Sequence, residues 1–553
     1  MKTIRRNLTT LVLLALAVTT FLAFKKDPQD NAFEIAKNID IFTTLYKEVN
    51  NYYVDEVNPN KIMRTGLDAM LKSLDPYTVY ISEDQIEDYR TMTTGEYGGI
   101  GATVGTRNGK VTVIMPMENS PALKSGLKIG DEILQIGEVK VTGKNQSDIS
   151  RLLKGQPDTE IELLIRHYGS TQTEKIKIKR ERIKVDNIPF HGIIEDGIGY
   201  VYLSEFTQGA AESIRKSVEE LKSKGAKSII LDLRGNPGGL LNESVNICNL
   251  FLPKDLDVVF TKGKIAEWNK TYKSLRQPID TDIPLVVLVN GRSASASEIV
   301  SGVIQDYDRG VLVGQRSFGK GLVQSTRPLT YNSQVKITVA KYYVPSGRCI
   351  QALDYSNRDD QGKVAKIPDS LRRAFKTKGG RTVYDGAGLE PDVIIEKENL
   401  SPIAQSLVTK NLIFEYANEY ALKNSQIKPA REFALSDAEY QAFVTWVKNK
   451  DYAYTTEMEK SYKDLIDAAK KDKTYDLIQN DLNTLKGRIS KNKEVDLITF
   501  KNEIRELLEE EICTRYYLEK GETEAKFDND KELQEAVKIL KNPAKYKEIL
   551  KKK

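Results

Sequence analysis

Two short stretches hold residue types that can do chemistry. The first is "GQRSFGKGLVQ", residues 314–324, in which Gly314, Gly319 and Lys320 fit the G-x-x-x-x-G-K pattern of a phosphate-cradling loop. That loop needs a Ser or Thr next to hold Mg²⁺, and here Gly321 follows. Strand character on both sides of Lys320 also argues against the helix such a loop opens. The second stretch is "VNGRSASASEIV", residues 289–300, with Ser293, Ser295 and Ser297 between a buried-strand pattern and a helical one. A turn there aims a side chain at a helix N-terminus, where unpaired N–H groups favour developing negative charge. That suits a nucleophilic serine and its oxyanion, and equally suits small residues capping a helix. Upstream, "LDLRGNPGG", residues 231–239, reads as a sharp turn after a strand. His167 and His191 are the two histidines of the chain. A His-rich metal site is therefore excluded, and a Ser–His–Asp triad would have to use one of them.

The elements that must position these residues change along the chain. At 553 residues, two to four domains are expected, and a net charge of +5 is too small for a dedicated nucleic-acid binder. Cys248, Cys349 and Cys513 lack metal or redox spacing and read as buried hydrophobes. Lys2, Arg5 and Arg6 precede an uncharged run, residues 8–24, so segment 1–26 reads as a signal peptide or membrane anchor. The rest is expected to be exported, and periplasmic, either soluble or held at the cytoplasmic membrane. Residues 27–94 carry apolar positions at helical spacing. Residues 95–183 are short β-type runs, residues 184–397 alternate strands and helices, and 398–553 is charged and helical. "KSIILDLRG" and "PLVVLVNG" are near-continuous apolar strands of the kind buried on both faces.

Resemblance then names the modules. "SPALKSGLKIGDEILQIG", residues 120–137, looks like the central segment of a PDZ domain, and "YGGIGATV" resembles the carboxylate-binding loop of PDZ domains in bacterial proteases. This implies that Gly98, Gly99, Ile100 and Gly101 bind a substrate's C-terminal carboxylate through backbone N–H groups, as a peptide adds to a sheet edge. "SASASEI" and "SFGKGLVQ", with "LDLRGNPGG" upstream and "AKYYVPSGRCIQ" and "GLEPDV" downstream, resemble the carboxyl-terminal processing, or tail-specific, proteases over about residues 40–395.

The resemblance implies a multidomain α+β protein. It covers an α/β serine-protease core (184–397) and a PDZ domain (95–183), to which the helical patterns add an N-terminal helical region and, outside the resemblance, a C-terminal helical domain. It places the nucleophile on Ser295, the general base on Lys320 and a supporting glutamine at Gln324. The oxyanion donors are expected to be the N–H of Ala296 and one from the "NPGG" turn, Gly239 first and Gly238 next. Gly319 and Gly321 are expected to give the lysine room, and Phe318 to exclude water. Arg234 is read as an anchor for its turn, and Glu298 as an acid at a helix start. No cofactor or metal is implied. Partners are proteins or peptides bound by their C-termini, with adaptor binding or self-association through the C-terminal helices. An insertion at 352–387 has no assigned role. The rival readings are a PDZ scaffold on an inactive protease fold and a nucleotide hydrolase.

Overall fold

The computed structural model describes residues 28–359, 362–489 and 493–551. The apolar segment assigned as signal or anchor lies outside the described residues, and no described helix is long and apolar enough to cross a membrane. The chain divides into two units, residues 1–80 and 81–553. The first is helical, with α1 (Pro28–Tyr52) and α2 (Pro59–Lys72). Asn58 caps α2 by accepting from the Lys61 N–H, and Pro59 supplies the preset first-turn φ.

The second unit begins with α3 (Ile86–Thr94), which ends on Gly95. Glu96–Gly99 then pairs antiparallel with Glu181–Lys184. Between them lies a sheet ordered β1 (Ala102–Arg107), β2 (Lys110–Pro116), β3 (Glu132–Ile136), β4 (Glu160–Arg166) and β5 (Glu174–Lys179). Alternation explains its core. In β4, Ile161, Leu163 and Ile165 point inward to meet Val113, Ile133 and Ile149. Ile149 belongs to α4 (Gln146–Leu153), capped by Asn145. Helix α4 and strand β1 enclose a groove of about 220 Å³.

The central sheet runs β6 (Phe190–Glu195), β7 (Ile198–Tyr202), β8 (Ser228–Asp232), β9 (Leu285–Val289), β10 (Val311–Gly314) and, paired directly with β10, a short edge at Val393–Ile394. From β7 onward every pairing is parallel. Strands β8 and β9 are buried at every position, so both faces must be covered. One face (Ile229, Leu231, Leu285, Val287, Leu312) packs on α5 (Ala210–Ser223), α6 (Leu241–Phe251) and α7 (Ala296–Asp306).

The insertion 352–387 folds as two small hairpins, Leu353–Arg358 with Val364–Lys366 and Ala374–Lys376 with Thr382–Tyr384. Arg381 pins the second to Asp308, just past the end of α7, and to Asp392.

The C-terminal region is built in two parts. Helices α8 (Pro402–Thr409), α9 (Leu412–Lys423), α10 (Asp437–Val447) and α11 (Lys501–Lys526) share a core of Leu407, Ala417, Phe443 and Leu508. Then α12 (Lys531–Lys541) and α13 (Pro543–Lys551) cross to the central sheet. Leu533, Ala536, Val537 and Ile539 cover its second face against Ile230, Val286, Leu288 and Val313. At on the order of 2 kcal/mol per large aliphatic side chain buried, this layer is a substantial part of core stability. The tail thus completes the core that residues 184–397 leave half covered.

Candidate active site

Three loops leave the carboxyl ends of β8, β9 and β10 and meet at one point, where open α/β sheets place their chemistry. The middle loop carries the serines. Ser293 is fully buried; its hydroxyl donates to the Leu233 carbonyl and accepts from the Asn290 N–H. Ser297, also buried, donates to the Asn236 carbonyl. Both hydroxyls are therefore spent joining loops. Ser295 stands between them, half-buried, as the N-cap of α7 with φ +57° and ψ −111°. A non-glycine residue in that region is strained by about 1–3 kcal/mol and persists where the surroundings enforce it. A strand–turn–helix strain of this kind lifts a side chain above a sheet end.

The β8 loop is pressed against this turn. A Cβ on Gly238, where φ is +97°, would lie 2.7 Å from the Ala294 oxygen, 2.9 Å from the Ala296 nitrogen and 2.9 Å from Ser295 Cβ. Only glycine fits there. The Gly238 N–H donates to Asn236 Oδ1 at 2.8 Å, and its carbonyl accepts from the Phe206 N–H. Among the described residues, by contrast, the N–H groups of Ala296 and Gly239 meet no acceptor. Of the two glycines expected as oxyanion donors, Gly239 is the one with a hydrogen left to give.

The third loop carries Lys320, half-buried, and is tied to the serine turn by Glu298. This carboxylate is fully buried. Its Oε2 accepts from the N–H groups of Ser295 (2.9 Å) and Lys320 (2.9 Å). Its Oε1 accepts from the Gly319 N–H (2.7 Å) and the Ser317 hydroxyl (2.5 Å). Burial pushes its pKa above the ordinary value, while those four hydrogen bonds oppose the rise. Sequence reasoning gave Glu298 only a helix-start role and missed this clamp. The signal was there in part: Ser295 and Glu298 have the i, i+3 spacing of a capping box. Its other partners lie some twenty residues away and leave no local mark.

Gly319 and Gly321 serve packing. A Cβ on Gly319 would lie 2.5 Å from Ala352 Cβ, and one on Gly321 2.8 Å from the Gln351 nitrogen. Phe318 is half exposed at the loop's tip. Beyond, β11 (Leu322–Pro328) pairs antiparallel with β12 (Gln334–Tyr343), with an irregularity at Val323/Gln324. Such a bulge re-aims a side chain. Gln324 Nε2 donates to Thr338 Oγ1 at 3.2 Å.

In the small β domain, the four expected carboxylate-loop residues divide. Gly98 and Gly99 are strand residues opposite Arg182 and Glu181, and the Gly98 carbonyl accepts from Gly155. A Cβ on Gly98 would strike the Gly155 oxygen at 2.1 Å, so that glycine answers to packing. Ile100 and Gly101 line the groove beside α4, and their N–H groups meet no acceptor among the described residues. The two histidines lie elsewhere: His167 contacts Asp131 and Glu174, and His191 contacts Glu220.

Comparison with known proteins identifies the domains that carry these elements. Residues 197–355 match the model of peptidase family S41, residues 98–178 that of a PDZ domain, and residues 403–540 that of a probable PDZ-protease C-terminal helical domain. The carboxy-terminal-processing protease of Bartonella bacilliformis is 33% identical over 347 residues, spanning 62% of this chain and 77% of that protein. The chain belongs to this family of serine proteases. A probable CtpA-like serine protease of Staphylococcus aureus (strain MRSA252) is 34% identical over 57% of this S41 peptidase and 62% of its own length. Among solved structures, a photosystem II D1 C-terminal processing protease is 26% identical, covering 65% of this chain and 93% of its own, with a TM-score of 0.34.

Proposed function

We propose that this S41 peptidase is an exported endopeptidase that cuts proteins captured by their C-terminal tails, with Ser295 as nucleophile and Lys320 as general base. The observation that carries the reading is the pair of N–H groups, on Ala296 and Gly239, that meet no acceptor among the described residues, beside a strained serine flanked by two serines whose hydroxyls are already hydrogen-bonded. Two such donors suit a tetrahedral oxyanion, and each is worth about 2.7–4 kcal/mol in the transition state. The N-terminus of α7 adds its dipole to the same point.

Neutral Lys320 takes the proton of Ser295 Oγ as the hydroxyl attacks the scissile carbonyl. The ammonium then gives that proton to the leaving amine, and a water releases the acyl group by the reverse relay. A lysine is protonated at neutral pH with its ordinary pKa of about 10.4, so the base works only once a proton is lost. Gln324 donates to Thr338 through Nε2, and its amide oxygen is the atom suited to orient an ammonium without adding a charge. Glu298 holds the serine and lysine loops in register without touching substrate.

The groove between β1 and α4 supports tail capture. It is lined by Tyr97, Ile100, Val104 and Leu153 and floored by the Ile100 and Gly101 N–H groups, which suits a carboxylate after an apolar side chain. The basic, then apolar, start of the chain supports export.

The deciding experiment is incubation of the purified protein with an unstructured protein in the absence of ATP. Cleavage by the unmodified chain, and none by Ser295→Ala or Lys320→Arg, is the expected result. Arg keeps the charge but does not deprotonate, so an active Lys320→Arg enzyme would refute the assigned base.

A further inference from the structure

We infer that the first turn of helix α12, through Asp530 and Glu532, is a positioning element of the active site, holding the oxyanion loop and the lysine loop in place from the far end of the chain. The inference rests on the reading of Gly239 and Lys320 given above.

The contacts start at Arg234, at the head of the β8 loop that ends in Gly239. Its guanidinium is largely buried and sits between two aspartates. It donates to Asp232, at the end of β8, and to Asp530 in two bonds, Nη1 to Oδ1 at 2.8 Å and Nη2 to Oδ2 at 2.6 Å. Paired bonds of this kind fix direction as well as distance. Glu532 lies 3.4 Å from the same guanidinium, and its Oε1 accepts from Gln315 Nε2 at 3.0 Å. Gln315 is the first residue after β10, and the chain runs from it directly to Lys320. One helix turn therefore holds the stems of two catalytic loops. The third loop joins them through Asn290, whose side-chain oxygen accepts from the N–H groups of Gly235 and Arg292.

The helix is a firm support. Asp530 caps it, accepting from the Leu533 N–H at 2.9 Å, and its inner face is locked onto β8, β9 and β10. Burial pushes the Asp530 carboxyl up, but Arg234 outweighs this and holds it below the ordinary value, as an anion. A residue about three hundred positions from Arg234 thus supplies the countercharge that keeps the oxyanion loop oriented. No substrate contact is involved, so the role is positioning.

The test uses the full chain. Asp530→Asn keeps a capping oxygen for Leu533 and removes the negative charge facing Arg234. Gln315→Ala cuts the second contact and leaves α12 untouched. Because small misplacements at a catalytic centre are costly, kcat should fall by about tenfold or more in the first and about threefold in the second, with KM within about twofold of the unmodified enzyme. Asp530→Glu should regain part of the loss. Unchanged kcat in both variants, or a loss confined to KM, overturns the inference. If Asp530→Asn fails to fold by circular dichroism, Gln315→Ala decides alone, and unchanged kcat there overturns it. Amide hydrogen exchange gives a readout independent of activity. Faster exchange at residues 234–240 and 315–321 in Asp530→Asn supports the inference even if the Ser–Lys reading fails, and unaltered exchange refutes it.

Discussion

Replacing Gly238 with alanine should nearly abolish cleavage while leaving the protein folded. The new Cβ would sit 2.7 Å from the Ala294 oxygen and 2.9 Å from both the Ala296 nitrogen and Ser295 Cβ, where ordinary contact begins at 3.4 Å. The neighbours are backbone on both sides, so either the nucleophile turn or the β8 loop must move by about 0.7 Å. That displacement acts directly on the Ala296 and Gly239 N–H groups, whose spacing has to match one oxyanion. Misplacement on the order of 1 Å costs about a hundredfold, and loss of one donor about 10²–10³ in kcat. Alanine at φ +97° adds its own backbone cost of about 1–2 kcal/mol, which lowers stability without touching chemistry. Gly235→Ala separates the two effects. Gly235 has φ +74° in the same loop, and its added Cβ meets nothing within 4 Å. The measurement is kcat for an unstructured substrate together with the thermal midpoint of both variants. Similar midpoints with a kcat loss of about a hundredfold in Gly238→Ala alone is the expected pattern. Equal activity in the two variants would refute the placement of the oxyanion hole against Gly238.

Ser297→Ala should keep most of its activity and lose on the order of 1 kcal/mol of stability, because its hydroxyl only joins the loop at Asn236; a dead Ser297→Ala beside an active Ser295→Ala would move the nucleophile. Glu298→Gln should lower kcat at least tenfold, since an amide NH₂ replaces the oxygen that accepts from Ser295 and Lys320, and two orphaned N–H groups cost about 1–3 kcal/mol each. The raised pKa of Glu298 means that the fold favours its protonated form. The associated stability is present below pH ~4.5 and is lost as pH rises through the folded value; because Lys320 also titrates, the readout is the thermal midpoint, and the unmodified protein should gain on Glu298→Gln as pH falls through that raised value, a difference that does not change with pH there counting against the raised pKa. Amidating a substrate's C-terminus should slow cleavage by about tenfold through KM, because charge-assisted bonds contribute about 1.5–3 kcal/mol; equal rates for free and amidated peptides would refute tail capture.

What the sequence made legible follows from where the partners of each residue lie. Ser295 and Lys320 stand in short runs whose own spacing marks a strand–turn–helix and a glycine-flanked lysine, so local pattern and family resemblance pointed to both. Glu298 is the helix-start acid the sequence suggested, but its clamp went unseen because three of its four partners belong to residues 317–320, and no local pattern records a contact made by folding. The glycines of "YGGIG" show another limit of local pattern. Adjacent in sequence, they looked equivalent, yet Gly98 is a paired strand residue pressed on the Gly155 oxygen, while Gly101, pressed on Ser120 at φ +73°, lines the groove with an N–H that meets no acceptor among the described residues. The C-terminal helices are the most instructive case. Strands β8 and β9 are apolar at every position, which demands a second covering layer, while α5, α6 and α7 supply only one. That deficit was readable. Its remedy was not, because the apolar stripe of α12 resembles that of any surface helix and says nothing about which sheet it will cover. Folding the tail back over the sheet also carries Asp530 to Arg234 and Glu532 to Gln315. The cover that stabilises the core and the acids that brace the catalytic loops are therefore one helix, and a change that loosens it acts on stability and on rate together.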